Sequence, residues 1–193
     1  MDLRGKKIIL ASNSPRRREL LAALGIDFTV DTGTSFVEEY SPDTPHTKVP
    51  ELMSLGKSLG FHRELEPNEI LVTSDTMVLC GSEILGKPSG RDDAVRMLRL
   101  LSGREHQVIT AVTIRSKERT RTFSVSSDVY FKELTDKEIG YYIDNYRPYD
   151  KAGAYGIQEW IGYIGITRID GSFYNVMGFP TQRFYEELQA FQG

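Results

Sequence analysis

The apolar run Ile8-Ile9-Leu10 breaks off into Ser12-Asn13-Ser14-Pro15, and the residues beyond it carry an apolar stripe at Leu20, Leu21 and Leu24. The first run reads as a buried strand and the stripe as one face of a helix. Ser14 can accept from the backbone N–H groups that begin a helix, Pro15 suits its first position, and Gly25 suits its end. A strand that hands over directly to a capped helix is the unit of α/β layered proteins.

The rest of the chain extends this pattern. A second strand is expected from Phe28 to Thr32, an acidic Pro-containing loop around Glu38, Glu39, Pro42 and Pro45, and a helix over 49–59. Ile70-Leu71-Val72-Thr73 reads as a buried strand with Asp75 just past its end. Met77–Cys80 and Glu83–Leu85 flank Gly81-Ser82 as a tight hairpin, and Ser89-Gly90-Arg91-Asp92 opens a helix toward Leu101. The segments 106–114 and 121–131 alternate like two antiparallel strands, and Thr135-Asp136-Lys137-Glu138 forms a capping box. Strand is expected over 161–169, a turn at Asp170-Gly171, and a last helix over 181–191. There is no repeat, linker or low-complexity stretch. The expectation is one α/β domain over residues 1–193 with parallel and antiparallel strands, single or compactly two-lobed.

Composition narrows the function. A net charge of -3 argues against a protein that coats nucleic acid, so any phosphate site must be local. Cys80 is the single cysteine, which excludes an internal disulfide and a multi-thiolate metal site. His46, His62 and His106 are scattered without metal-ligand spacing, leaving oxygen ligands for any metal. The N-terminal apolar run is too short for a signal peptide or a membrane span, which points to a cytoplasmic protein.

Several residues can carry chemistry. Ser12 through Glu19 place Arg16, Arg17 and Arg18 at a helix N-terminus, where N–H groups and guanidinium forks suit a polyphosphate; a solvated basic helix face is the alternative. Asp75 can hold a cation or take a proton from water, with Lys87 nearby to neutralise phosphate charge, or it can simply make a turn. Glu38 and Glu39 gain meaning only beside Asp75, as oxygen ligands for Mg2+ or Mn2+. Gly56-Lys57-Ser58 is not a P-loop, because Glu51 stands where the earlier glycine belongs. The stretch Asp150-Lys151-Ala152-Gly153-Ala154-Tyr155-Gly156-Ile157-Gln158 can let backbone approach a ligand, with the Gln158 amide able to read a base edge; a tight loop with Gln158 exposed is the alternative.

Together, Leu10 through Leu21, Ser74-Asp75-Thr76, Ile84 through Pro88, Leu101-Ser102-Gly103 with His106, Asp150 through Gln158, Gly171-Ser172, Asn175-Val176 and Gly178-Phe179-Pro180 resemble the Maf family of nucleotide pyrophosphatases across nearly the whole chain. The resemblance implies a mixed α/β fold of the inosine-triphosphate-pyrophosphatase type with two lobes around a central cleft. It implies cleavage of nucleoside triphosphates between the α and β phosphates with a divalent metal, in a homodimer. By position, Asp75 would be the general base and a metal ligand, Glu39 a second metal ligand, and Ser12, Arg17, Lys57 and Lys87 the triphosphate grip. Arg16, Thr76 and Gln158 resemble the branch that acts on dTTP and UTP; the alternatives are 7-methyl-GTP or another modified purine, or a non-catalytic regulator of cell division. The segment Leu55-Gly56-Lys57-Ser58 around Lys57, and Phe179 before Pro180, depart from the usual family residues.

Overall fold

The computed structural model describes residues 3–192. Strand β1 (Lys7–Leu10) leads through the polar turn into helix α1 (Pro15–Ala23), then β2 (Phe28–Val30) and α2 (Val49–Leu59). Next come β3 (Glu69–Cys80), β4 (Glu83–Leu85), α3 (Arg91–Leu101), β5 (Glu105–Arg115), β6 (Thr120–Phe131) and α4 (Asp136–Tyr146). The chain ends with α5 (Trp160–Gly165), β7 (Ile166–Asp170), α6 (Phe173–Val176) and α7 (Thr181–Gln192). The strands form one mixed sheet ordered β2-β1-β3-β5-β6-β7, with β4 paired to β3. β1 is parallel to both β2 and β3, while β3/β4 and β6/β7 are antiparallel.

Local chemistry explains most of these elements. Ser14 caps α1 by accepting from the Arg17 N–H, and Pro15 opens the helix. At α4 the Thr135 hydroxyl accepts from the Glu138 N–H while the Glu138 carboxylate accepts from the Thr135 N–H. Gly81, at a φ of 60°, turns β3 into β4 so that Cys80 faces Glu83.

The described residues form two compact units. The first comprises the chain up to Asp75, Thr110–Val125, and Gly178 onward. Its core includes Ile8, Leu10, Leu21, Ile70, Leu71, Val112, Ile114, Phe184 and Leu188, all nearly inaccessible to solvent. The second comprises Thr76–Ile109 and Ser126–Met177. It buries Leu85, Leu98, Leu101, Ile139, Tyr142, Ile143 and Ile161, and it stacks His106 on Phe131 with Tyr155 edge-on to both. Cys80 is buried, and burial raises its thiol pKa, as suits a packing residue.

Three expectations are corrected. Asp75 does not follow its strand: β3 continues through it to Cys80, so the carboxylate sits mid-strand. The segment read as one strand over 161–169 is helix to Gly165 and strand only from Ile166. The Gly162 and Tyr163 N–H groups both donate to the Glu159 carbonyl, and this local turn outweighs the β-branched and aromatic content. The strand expected to reach Thr32 ends at Val30. The short helix Phe173–Val176, capped by Ser172, had no periodic signal to reveal it.

Candidate active site

In the first unit the site grows from β3 and the two helices beside it. Thr73-Ser74-Asp75-Thr76 form a polar stretch in mid-strand, between the apolar runs Ile70-Leu71-Val72 and Met77-Val78-Leu79. Helix α2 buries Val49, Pro50, Met53, Ser54 and Ser58 and carries Lys57 in its last turn. The Lys57 ammonium lies 2.7 Å from Asp75 Oδ1 and 2.8 Å from Glu38 Oε1. Lys57 and Asp75 side chains are about four-fifths covered (20% and 19% exposed), whereas Glu38 is 60% exposed. The cation is therefore shared between an enclosed carboxylate and an open one.

Glu38 reaches Lys57 because of how its loop is seated. The Ser35 N–H donates to the Gly60 carbonyl at 2.8 Å, and the His62 N–H to the Gly33 carbonyl at 3.1 Å. The Phe36 side chain then rests on α2 at Gly56, where a Cβ would collide with its ring. Gly56, in the departing segment around Lys57, is thus a close-approach glycine. Glu39 is exposed, and its N–H donates to the Val37 carbonyl.

Arg17 comes from the first turn of α1. Its Nε donates to the Gly178 carbonyl at 3.0 Å and its Nη1 to the Ser74 carbonyl at 2.9 Å, tying the helix start to β3 beside Asp75. Burial pushes its pKa down to about 10, opposed by Asp75 and Glu38 and reinforced by neighbouring Arg16, so the guanidinium stays charged at neutral pH. Ser12 is buried at the turn: its Oγ accepts from the Ser14 N–H at 3.2 Å and its carbonyl from Arg18 Nε at 3.4 Å. Arg16 is half-buried on the same helix turn. The structure therefore gathers Arg17, Lys57, Glu38 and Asp75 into one charged cluster.

The second unit holds the other expected residues. Thr76 follows Asp75 on β3 and is half-buried, and Lys87 is exposed in the bend after β4. The Gly153 N–H donates to the Gly86 carbonyl at 3.1 Å, bringing the Asp150–Gln158 loop against the Lys87 bend. Gly153 (φ 69°) packs on Val78. The loop is braced from within: buried Lys151 pairs with Asp150 at 2.7 Å and with Glu159 at 3.2 Å. The Tyr142 hydroxyl donates to Glu159 and accepts from the Gly156 N–H. Burial and the Glu159 carboxylate raise the Tyr142 pKa, keeping that hydroxyl a donor. Gln158 stands at the end of this brace, half-buried, and among the described residues its buried Oε1 has no hydrogen-bond partner. A buried amide oxygen left open is costly unless a ligand donates to it.

Sequence reasoning missed Glu38 as the partner of Lys57, the Lys151–Glu159–Tyr142 brace, and the buried hydroxyls of Ser54 and Thr73. Ser54 and Ser58, four residues apart on an apolar helix stripe, were the legible signal for the last of these.

The cluster sets an enclosed carboxylate and a lysine beside a helix start that carries an arginine, on a mixed α/β scaffold, and two cations so placed suit a polyanionic ligand. The family model described as Maf-like protein matches residues 7–191, and the chain belongs to that family. It is 50% identical over 183 residues to a dTTP/UTP pyrophosphatase of Bacteroides thetaiotaomicron, covering 95% of each chain. It is 48% identical to one of Parabacteroides distasonis, covering 98% of each. A third, of Porphyromonas gingivalis, is 49% identical, covering 98% of this chain and 96% of that one. Among solved structures, a HAM1 protein from Coxiella burnetii aligns distantly, with a TM-score of 0.39 and 12% identity over 65% of this chain and 73% of that chain.

Proposed function

We propose that this chain hydrolyses dTTP and UTP to the nucleoside monophosphate and pyrophosphate. The observation that carries the reading is the Asp75–Lys57 pair, a carboxylate held 2.7 Å from an ammonium in a chain half-identical to a dTTP/UTP pyrophosphatase over nearly its whole length. Asp75 takes a proton from water, whose oxygen then attacks the α-phosphorus. The bond from that phosphorus to the α,β-bridging oxygen breaks, and pyrophosphate leaves. Lys57 exchanges its carboxylate partners for phosphate oxygens, and Ser12, Arg16, Arg17 and Lys87 complete the grip on the triphosphate. Thr76 and Gln158 set base preference: the open Gln158 Oε1 suits a ring N–H donor of thymine or uracil, and its amide N–H a carbonyl oxygen.

A divalent cation, Mg2+ or Mn2+, fits this donor set. Among the described residues no three acidic, His or Cys side chains cluster for a metal. Mg2+ typically takes only one or two carboxylates and fills its shell with water and substrate phosphate. Asp75 and Glu39 are the proposed ligands, with Glu38 close by on Lys57. When bound, the cation would neutralise phosphate charge and lower the cost of the leaving pyrophosphate.

We further propose a homodimer in the cytoplasm with no nucleic-acid or membrane partner. Among the described residues no helix is long and apolar enough to cross a membrane. Light scattering tests the dimer.

The test of function is product analysis with Mg2+ or Mn2+ across dTTP, UTP, CTP, GTP and 7-methyl-GTP. Monophosphate and pyrophosphate, formed fastest from dTTP or UTP, are expected. Orthophosphate as first product would overturn the reaction, and preference for 7-methyl-GTP would overturn the specificity.

A further inference from the structure

Beneath the Lys57–Asp75 pair lies a second set of bonds joining the same two elements. Thr73 stands two residues before Asp75, so both side chains leave the same face of β3. Ser54 stands three residues before Lys57, one turn back on α2. The Thr73 hydroxyl donates to the Ser54 carbonyl at 2.7 Å. The Ser54 hydroxyl donates either to the Thr73 carbonyl at 3.2 Å or to Thr113 Oγ1 at 3.0 Å, and Thr113 Oγ1 lies 2.9 Å from Thr122 Oγ1. Ser54, Thr73 and Thr113 are fully buried. One turn further along α2, Arg115 of β5 donates to the Ser58 hydroxyl at 3.0 Å and to its carbonyl at 2.6 Å.

The Ser54 carbonyl lies inside a helix, where the backbone ladder already satisfies it, and a purely apolar contact between helix and strand would need no hydroxyl. Apolar packing tolerates small slides of a helix over a sheet. A buried hydroxyl matched to one carbonyl does not, because any slide strands a polar group in the core.

We propose that Thr73 and Ser54 are positioning residues for Lys57: they lock the register of α2 on β3 so that the ammonium stands opposite Asp75. The proposal rests on the roles of Lys57 and Asp75 given above. It adds that the spacing between them is held by a polar lock one turn away, with Thr73, whose side chain bonds the helix backbone, as its principal member.

The test compares T73V, which keeps the side-chain shape and removes the hydroxyl, with T73S, which keeps the hydroxyl. T73V is expected to lower dTTP turnover about tenfold or more, as misplacement of a catalytic group does. T73S should retain most of the turnover. In a K57A background T73V should cost less than about a further twofold, since the lysine it positions is already gone. Should Val at 73 prevent folding, S54A carries the same cycle with a smaller loss, about threefold, because the Thr73 bond to the Ser54 carbonyl survives. Near wild-type turnover in T73V, or losses that multiply in K57A, would overturn the lock and leave a stability role only. If the wild-type protein turned over no nucleotide, the proposed function would fall, and the lock would be decided without substrate. The Lys57 ammonium signal in a 15N spectrum, assigned by its loss in K57R, should move in T73V as it does in D75N and return in T73S. A signal that T73V leaves in place would overturn the lock.

Discussion

Asp75 holds its carboxylate against one ammonium in a half-buried position, which gives the D75N variant a sharp expectation. The amide keeps the shape and loses the base, so turnover should fall by about a hundredfold to ten-thousandfold. Binding of a non-hydrolysable dUTP analogue, measured by calorimetry, should persist; turnover near wild type would remove Asp75 from the mechanism. His106 offers a second expectation at this scale. It is buried, its Nε2 pairs with the Tyr155 hydroxyl at 2.7 Å, and burial pushes its pKa down from 6.5 to about 4. The unfolded chain therefore binds a proton in this window that the folded chain refuses. Stability contributed by the neutral ring is complete above about pH 6.5 and is lost as pH falls toward about 4, with a slope approaching roughly 1.4 kcal/mol per pH unit. Urea unfolding from pH 4 to 7 should show this slope in the wild-type protein and a flatter one in H106Q. Equal slopes would mean that other groups govern acid sensitivity.

At the scale of elements, α2 is held by two different devices, the buried hydroxyls on one face and the Phe36 ring over Gly56. The second makes G56A informative. Alanine would gain about 1 kcal/mol in helix propensity, yet its methyl would strike the ring, and overpacking costs about 1–3 kcal/mol or more. A lower midpoint of thermal unfolding is expected, with recovery when F36A is added; a stabilised G56A would show that the loop carrying Glu38 is not seated this way. Elements whose signals are local were legible in the sequence. The Ser14 cap, the Gly81 turn and the Thr135–Glu138 box each lie within a few residues, and each formed as expected. Where the reading failed, function or brevity had overwritten the pattern. Ser74-Asp75-Thr76 put polar residues mid-strand and so seemed to end it, while the six-residue α5 is too short for a helical period to show. The candidate site was legible as a set of residue types and a family resemblance, but its pairings were not. Lys57 meets Asp75 across eighteen positions, and Glu38 and Glu39 look alike until the seat of Phe36 decides which one reaches the lysine.

At the scale of the molecule, neither unit is a continuous stretch of sequence. The first unit is assembled from three segments, and its segment from Gly178 brings the buried side chains of Phe184 and Leu188 on α7. That segment also supplies the carbonyl that Arg17 binds and the Glu187 carboxylate that Arg121 grips at 2.9 and 3.1 Å. A chain cut after Met177 should thus lose more than a helix. Its first unit should fail to unfold cooperatively in urea, and amides of β1 and β3 should exchange quickly with solvent; a cooperative transition and protected β1 amides would show that the unit stands without α7. The same interleaving orders events during synthesis. Residues through Asp75 emerge from the ribosome first, yet their unit waits for Thr110–Val125 and then for Gly178 onward before it can close. The Asp75 carboxylate and its partner Lys57 are thus made early and completed late, and in the interval the apolar faces of β1 and α2 stand open to whatever a nascent chain meets.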